Sequence, residues 1–209
     1  MMKRKVLVFL LMLPLLASAQ KDGAAALLDK VVATIKSDAA LQMDYTYTIY
    51  DEDDAVVYKD NGTMKLDNDR YMLDMENMKV WCDGKTQWSY MKDIDEVYIT
   101  DADSEEAQNL SPLYIMEMYR ENCSLVKTAL EGEAVLVTMT AADVEAEVNK
   151  LELFVDAGTS RLTGMFVYMP GQGCVEVRLE NYVPKCKFAK KTYECPVGIF
   201  PTAEIVDMR

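Results

Sequence analysis

Lys79-Val80-Trp81-Cys82-Asp83-Gly84-Lys85-Thr86-Gln87-Trp88-Ser89-Tyr90-Met91 decides the architecture. Two short runs rich in β-branched and aromatic residues flank Asp83-Gly84-Lys85, a pattern that closes a tight β-hairpin. The two turn residues are either Asp83-Gly84 or Gly84-Lys85. Side chains alternate between the faces of a strand, so in either case Trp81, Trp88 and Tyr90 fall on one face.

The same period of two runs outward in both directions. Upstream, Met43, Tyr45, Tyr47 and Ile49 alternate with Asp44, Thr46 and Thr48, as in a half-buried strand. The acidic turn Asp51-Glu52-Asp53-Asp54 leads into a strand opening Ala55-Val56-Val57-Tyr58, and Asn61-Gly62 marks a bend or a second turn. Tyr71, Leu73 and Met75 alternate again. Downstream, strands are expected at Glu96–Thr100, Ala134–Thr140, Lys150–Asp156, Leu162–Met169, Cys174–Asn181 and Glu204–Asp207. Two helices interrupt the pattern. Leu27, Leu28, Val31, Val32 and Ile35 form a helical stripe behind a candidate N-cap, Asp22. Ser111-Pro112 opens a second helix over Leu113–Tyr119, with proline at a first-turn position. The expected fold is mostly β: one antiparallel sheet of about ten to eleven strands with two helices.

The 209 residues are 50% hydrophobic and 27% charged, a globular balance for one medium domain. The net charge of −13 argues against a phosphate-gripping, nucleic-acid-binding surface. No histidine occurs anywhere. Ser-His-Asp and Cys-His nucleophile systems and His-ligated zinc are thereby excluded. Lys3, Arg4 and Lys5, the apolar run Val6–Leu16 and the small residues Ala17-Ser18-Ala19 read as a secretory signal peptide cleaved between Ala19 and Gln20. Removing residues 1–19, which carry three cations and no anion, leaves a domain over 20–209 with charge −16. A bacterial periplasm is the expected compartment. Five cysteines carry no C-x-x-C spacing. Cys186 and Cys195 close the shortest loop and are the preferred disulfide, small buried hydrophobes being the alternative.

No carboxylate pair is marked out for acid–base work among 35 acidic residues. The run Asp101–Glu106 lacks the glycine that a calcium loop turns on, and no metal or cofactor is expected. What the sequence does carry is apolar surplus. Leu113–Tyr119 is apolar almost all round, interrupted only by Glu117. Such a helix is either sandwiched in a core or packed on a sheet by one side while the other lines a cavity. Of 15 methionines, Met43, Met64, Met72, Met75, Met116 and Met118 are interleaved with tyrosine and tryptophan, suiting a pliable apolar cavity.

The segment D-G-K-T-x-W-x-Y at Asp83–Tyr90 and the ending Phe200–Arg209 resemble the periplasmic outer-membrane lipoprotein carriers of the LolA type. So does the order of elements: signal peptide, amphipathic helix, strand, hairpin, proline-started apolar helix. The resemblance implies an open, incomplete antiparallel β-barrel whose helices cover an apolar cavity. It implies a monomeric carrier, not an enzyme, that takes acylated lipoproteins from an inner-membrane ABC transporter to an outer-membrane acceptor. Candidate cavity residues are Met43, Tyr45, Tyr47, Met64, Leu73, Met75, Trp81, Trp88 and Tyr90, with Leu113, Met116 and Tyr119 on a lid helix. Many family members carry an Arg-Pro whose arginine bonds to the lid backbone; here the region reads Leu66-Asp67-Asn68-Asp69-Arg70-Tyr71, so that latch is not transferred to Arg70. The alternative is an exported sensor of lipids or lipoproteins on the same fold. A carboxylate-dependent hydrolase is the weakest reading.

Overall fold

The computed structural model describes residues 13–104, 107, 123–143 and 146–209, the stretch 13–22 by its backbone alone. The expected lid segment with Leu113, Met116 and Tyr119 lies outside the described residues.

Helix α1 runs Leu13–Ser37, starting upstream of Asp22, so Asp22 is a helical residue and not a cap. The helix stops where Ala39 takes a left-handed φ of 55° and the Asp38 N–H donates back to the Thr34 carbonyl at 2.9 Å. Among the described residues twelve strands follow: β1 Ala40–Tyr50, β2 Val56–Asp67, β3 Arg70–Met75, β4 Met78–Cys82, β5 Thr86–Met91 and β6 Glu96–Asp101 form the first half. The second half comprises β7 Cys123–Ala129, β8 Ala134–Ala141, β9 Lys150–Asp156, β10 Arg161–Met169, β11 Gly173–Val183 and β12 Glu204–Asp207. They make one open sheet in the order β12-β6-β5-β4-β3-β2-β1-β11-β10-β9-β8-β7. This is the incomplete barrel that the sequence led us to expect.

Three local outcomes differ from the sequence reading. Asn61-Gly62 is neither bend nor turn but the middle of β2. The Tyr45 ring of β1 lies across Gly62, and a Cβ there would sit 2.5 Å from the tyrosine Cζ, so only glycine leaves room. Cys123–Ala129, unassigned from sequence, is the strand β7, paired with β8. The final strand β12 pairs parallel to β6, because the chain first crosses the back of the sheet between residues 184 and 203. In the hairpin the turn is Gly84-Lys85: Asp83 N–H donates to Thr86 O at 3.2 Å, and Gly84 has φ 91°.

One face of the sheet, here called the inner face, is largely apolar over β7–β11 and β1–β4. Over β7–β10 it is covered by α1, whose Leu27, Leu28, Val31 and Val32 pack on Val137, Met139, Leu153 and Val155. Each such side chain contributes about 1.5–3 kcal/mol on burial, enough to hold the helix without help from capping. Over β1–β4 the same face carries a second cluster: Leu41, Met43, Tyr45, Met64, Leu66, Tyr71, Val80 and Cys82. Ile35, near the end of α1, touches both.

Candidate ligand-binding face

Strand register brings six of the nine candidate cavity residues together. Met43 lies opposite Met64, which lies opposite Leu73. One step along, Tyr45 lies opposite Gly62 and Gly62 opposite Met75; Tyr47 follows two residues after Tyr45 on the same side. Met43, Tyr45 and Met64 are buried, whereas Tyr47, Leu73 and Met75 are half-buried. Met78 and Val177 extend the half-buried margin. An apolar wall therefore grades from closed core to solvent-reachable surface across β1–β4.

Trp81, Trp88 and Tyr90 do share a face, but the opposite one. Tyr71 pairs with Cys82 and Leu73 with Val80, whereas Met72 pairs with Trp81, itself opposite Trp88. The alternation thus sends the tryptophans to the outer face. There they are covered by Phe188, Tyr193 and Phe200 from the segment that crosses the back of the sheet. Phe200 stacks near Tyr90 with 4.1 Å between centroids. Arg70 serves this outer cover as well: it pairs with Asp67, and its guanidinium lies 5.0 Å from the Tyr193 ring centre. Cys186 and Cys195 lie within the same segment as free thiols, so the expected disulfide between them is not formed. The Cys186 thiol donates to the Val183 carbonyl at 3.3 Å, and burial pushes the Cys195 thiol up to about 11.

The inner face missed from sequence comprises Leu66, Tyr71, Met78, Val80, Cys82 and Gln87. The signal was present as the alternation Tyr71, Leu73, Met75 across from Met78, Val80, Cys82. It was overshadowed by the larger tryptophans on alternate positions.

Few polar groups interrupt this wall, and apart from Asp60 at its margin they are neutral. The Tyr71 hydroxyl donates to Gln87 Oε1, with the Ala107 carbonyl 3.4 Å away. The Tyr45 hydroxyl is buried and has no hydrogen-bond partner among the described residues. Burial, with the carboxylates of Asp60 and Asp74 as lesser causes, raises the Tyr45 phenol well above its ordinary range. Burial also raises the phenols of Tyr71 and Tyr47 and the Cys82 thiol. Each stays protonated near neutral pH, so the wall suits a hydrocarbon ligand and not an ion. Asp60 is the exception at its margin, a buried carboxylate that accepts from Asn61 N–H at 2.6 Å and Glu76 N–H at 3.0 Å. Among the described residues no acidic or thiol cluster has metal-holding geometry.

Residues 18–167 match the family model described as the outer membrane lipoprotein carrier protein LolA. No curated protein matches the sequence. Among solved structures, the chain is similar to a conserved protein of Thermus thermophilus, with TM-score 0.59, 11% identity, and coverage of 88% of this chain and 99% of that one. It is also similar to a putative outer membrane lipoprotein-sorting protein domain from Vibrio parahaemolyticus, at TM-score 0.50 and 7% identity, covering 86% and 99%. A DUF1329 family protein from Desulfovibrio piger gives TM-score 0.50 at 11% identity, covering 85% and 98%. Identities this low bear on the fold alone.

Proposed function

The chain belongs to the outer membrane lipoprotein carrier (LolA) family, and on that premise we propose that it carries acylated lipoproteins through the periplasm without catalysing a reaction. Members of this family bind and carry; they are not enzymes. The observation that supports the reading most is the half-buried apolar margin of Tyr47, Leu73, Met75 and Met78 beside the closed core. Acyl chains bring about 0.8 kcal/mol per buried CH₂, so a few chains bind without polar contacts. Deliverable cargo must also leave, and an adaptable methionine wall holds chains without tight shape-matching. In this reading residues 1–19 are removed on export and 20–209 form the carrier. Cargo arrives from an inner-membrane ABC transporter and leaves to an outer-membrane acceptor. The segment with Leu113, Met116 and Tyr119 is assigned the movable cover on its sequence pattern alone.

The test is native mass spectrometry of the protein mixed with a triacylated lipoprotein in detergent below its micelle concentration. A one-to-one complex that Met75→Glu weakens, with the thermal midpoint unchanged, is the expected result. Protein that stays empty under conditions where a known carrier loads would overturn the reading.

A further inference from the structure

Strand β2 is longer than its neighbour on one side. It pairs with β1 along its length, from Val56 opposite Tyr50 to Asp67 opposite Ala40. On its other side β3 reaches only from Gly62 to Asp67. Among the described residues nothing pairs with the first part of that edge. The Asp60 carboxylate, accepting the Glu76 N–H at 3.0 Å, fills the gap where β3 ends. The open edge is therefore Val56–Lys59.

The register with β1 shifts beside Tyr50, which leaves Val57 at a bulge, and Lys59 is the one cation on the edge; the other side chains there are apolar and open. Val56 is 57% exposed, Val57 60% and Tyr58 37%, three successive β-formers in water. An exposed apolar strand edge invites pairing with another chain. The preceding turn is closed by hydrogen bonds and acidic. The Asp53 and Ala55 N–H groups both donate to Asp51 Oδ1 at 2.9 Å, and the Glu52, Asp53 and Asp54 residues stand exposed around that turn. Three exposed carboxylates thus flank an apolar edge that offers only Lys59 in return.

We propose that Val56–Lys59 is a strand-addition site for an extended, lysine- or arginine-bearing segment of a partner protein. The partner's backbone pairs with the open edge, its apolar residues cover Val56 and Val57, and its cations meet Glu52, Asp53 and Asp54. A second copy of the chain fits less well: it would set one Lys59 against three carboxylates while bringing two bodies of charge −13 together. The edge adjoins the inner apolar wall, since the Tyr58 ring meets Tyr47 edge-on with 6.4 Å between centroids, but it offers backbone pairing and not an acyl-chain surface, so its test stands independently of the carrier reading.

The probe is a short fluorescein-labelled peptide alternating lysine with valine, titrated with the full chain and read by anisotropy. Hydrogen exchange with and without peptide locates the contact. Saturable binding is expected, with slowed exchange confined to residues 56–61 and affinity falling several-fold as salt rises toward physiological strength. Val57→Pro removes an edge N–H and Val57→Lys adds a repelling charge, and each should weaken binding by about tenfold or more. Thermal midpoints identify any variant that fails to fold, and the other variant then decides. The proposal is overturned if a glutamate–valine peptide binds equally well, or if protection appears on β3 and β4 instead. It is also overturned if sedimentation shows the chain dimerising through this edge, or if no peptide binds.

Discussion

Gly62→Ala is a one-carbon change whose cost follows from the sheet geometry. A Cβ at this position would lie 2.5 Å from Tyr45 Cζ, 2.6 Å from its hydroxyl and 2.6 Å from the Asp74 carbonyl oxygen. Ordinary carbon contacts need about 3.5–4.0 Å, so both neighbours must give by roughly an ångström. The tyrosine can swing, but only by leaving its buried seat; the carbonyl belongs to β3, which is registered against Gly62 through Met75. Overpacking of this kind costs about 1–3 kcal/mol. Alanine in a strand interior would otherwise gain about 0.5–1 kcal/mol over glycine. Displacing Tyr45 adds part of the roughly 1.5–3 kcal/mol that a large buried side chain contributes. The balance is a loss of about 2 kcal/mol, or about 4–8 °C in Tm for a domain of this size. Urea denaturation with an unchanged m-value is the assay. In a Tyr45→Ala background the ring contact is gone, so Gly62→Ala should cost distinctly less there. A Gly62→Ala protein as stable as the parent, or more so, would refute this account of why glycine sits in the middle of β2.

Tyr45→Phe keeps the ring and removes a buried hydroxyl with no partner among the described residues, so urea denaturation should show unchanged or raised stability, by up to about 1–3 kcal/mol. A clear loss would mean that the hydroxyl is bonded in solution. Asp156 accepts the Thr159 N–H at 2.8 Å and its hydroxyl at 3.0 Å, and the backbone bond is the leading cause that holds its carboxyl below the ordinary 3.8. Stability lent by the ionised form is whole above that ordinary value and is lost as pH falls through the lower folded value. The stability gap between parent and Asp156→Ala should therefore shrink only on acidification below 3.8, as chemical denaturation across that range would show. Cys195, pushed up to about 11 by burial, holds about a thousandth of its thiol as thiolate at pH 8. Mass-resolved alkylation should find it slow in folded protein and faster once unfolded.

Much of the sheet could be read directly because its strands carry their own periodicity: β9 and β12 fall where alternation and flanking turns put them. The hairpin around Gly84 was legible for the same reason. The assignment of faces was not. In β3 and β4 both sides are apolar, with Tyr71, Val80 and Cys82 on one and Met72 and Trp81, beside Trp88 of β5, on the other. Local pattern shows that the tryptophans share a side but not which side closes against what. That is decided by Phe188, Tyr193 and Phe200, about a hundred residues later in the chain, which cover the tryptophan side. The Asn61-Gly62 turn signal failed similarly, since the reason for the glycine is a ring on the neighbouring strand. The helix α1 stripe was readable because 3.6-residue periodicity is local, whereas the helix's continuation upstream was hidden by a polar residue, Asp22, that resembles a cap.

The central claim is that acyl chains lie on the inner wall of Met43, Tyr47, Leu73 and Met75, away from the tryptophan side. The chain's two tryptophans, Trp81 and Trp88, are natural reporters of the outer side. Bromine on an acyl chain quenches tryptophan only at close range, so a lipoprotein with brominated acyl chains tests the claim directly. Saturating the parent protein should leave its tryptophan emission nearly intact, whereas a Leu73→Trp variant should lose the added emission on loading. Strong quenching of the native tryptophans with no quenching at position 73 would contradict the account.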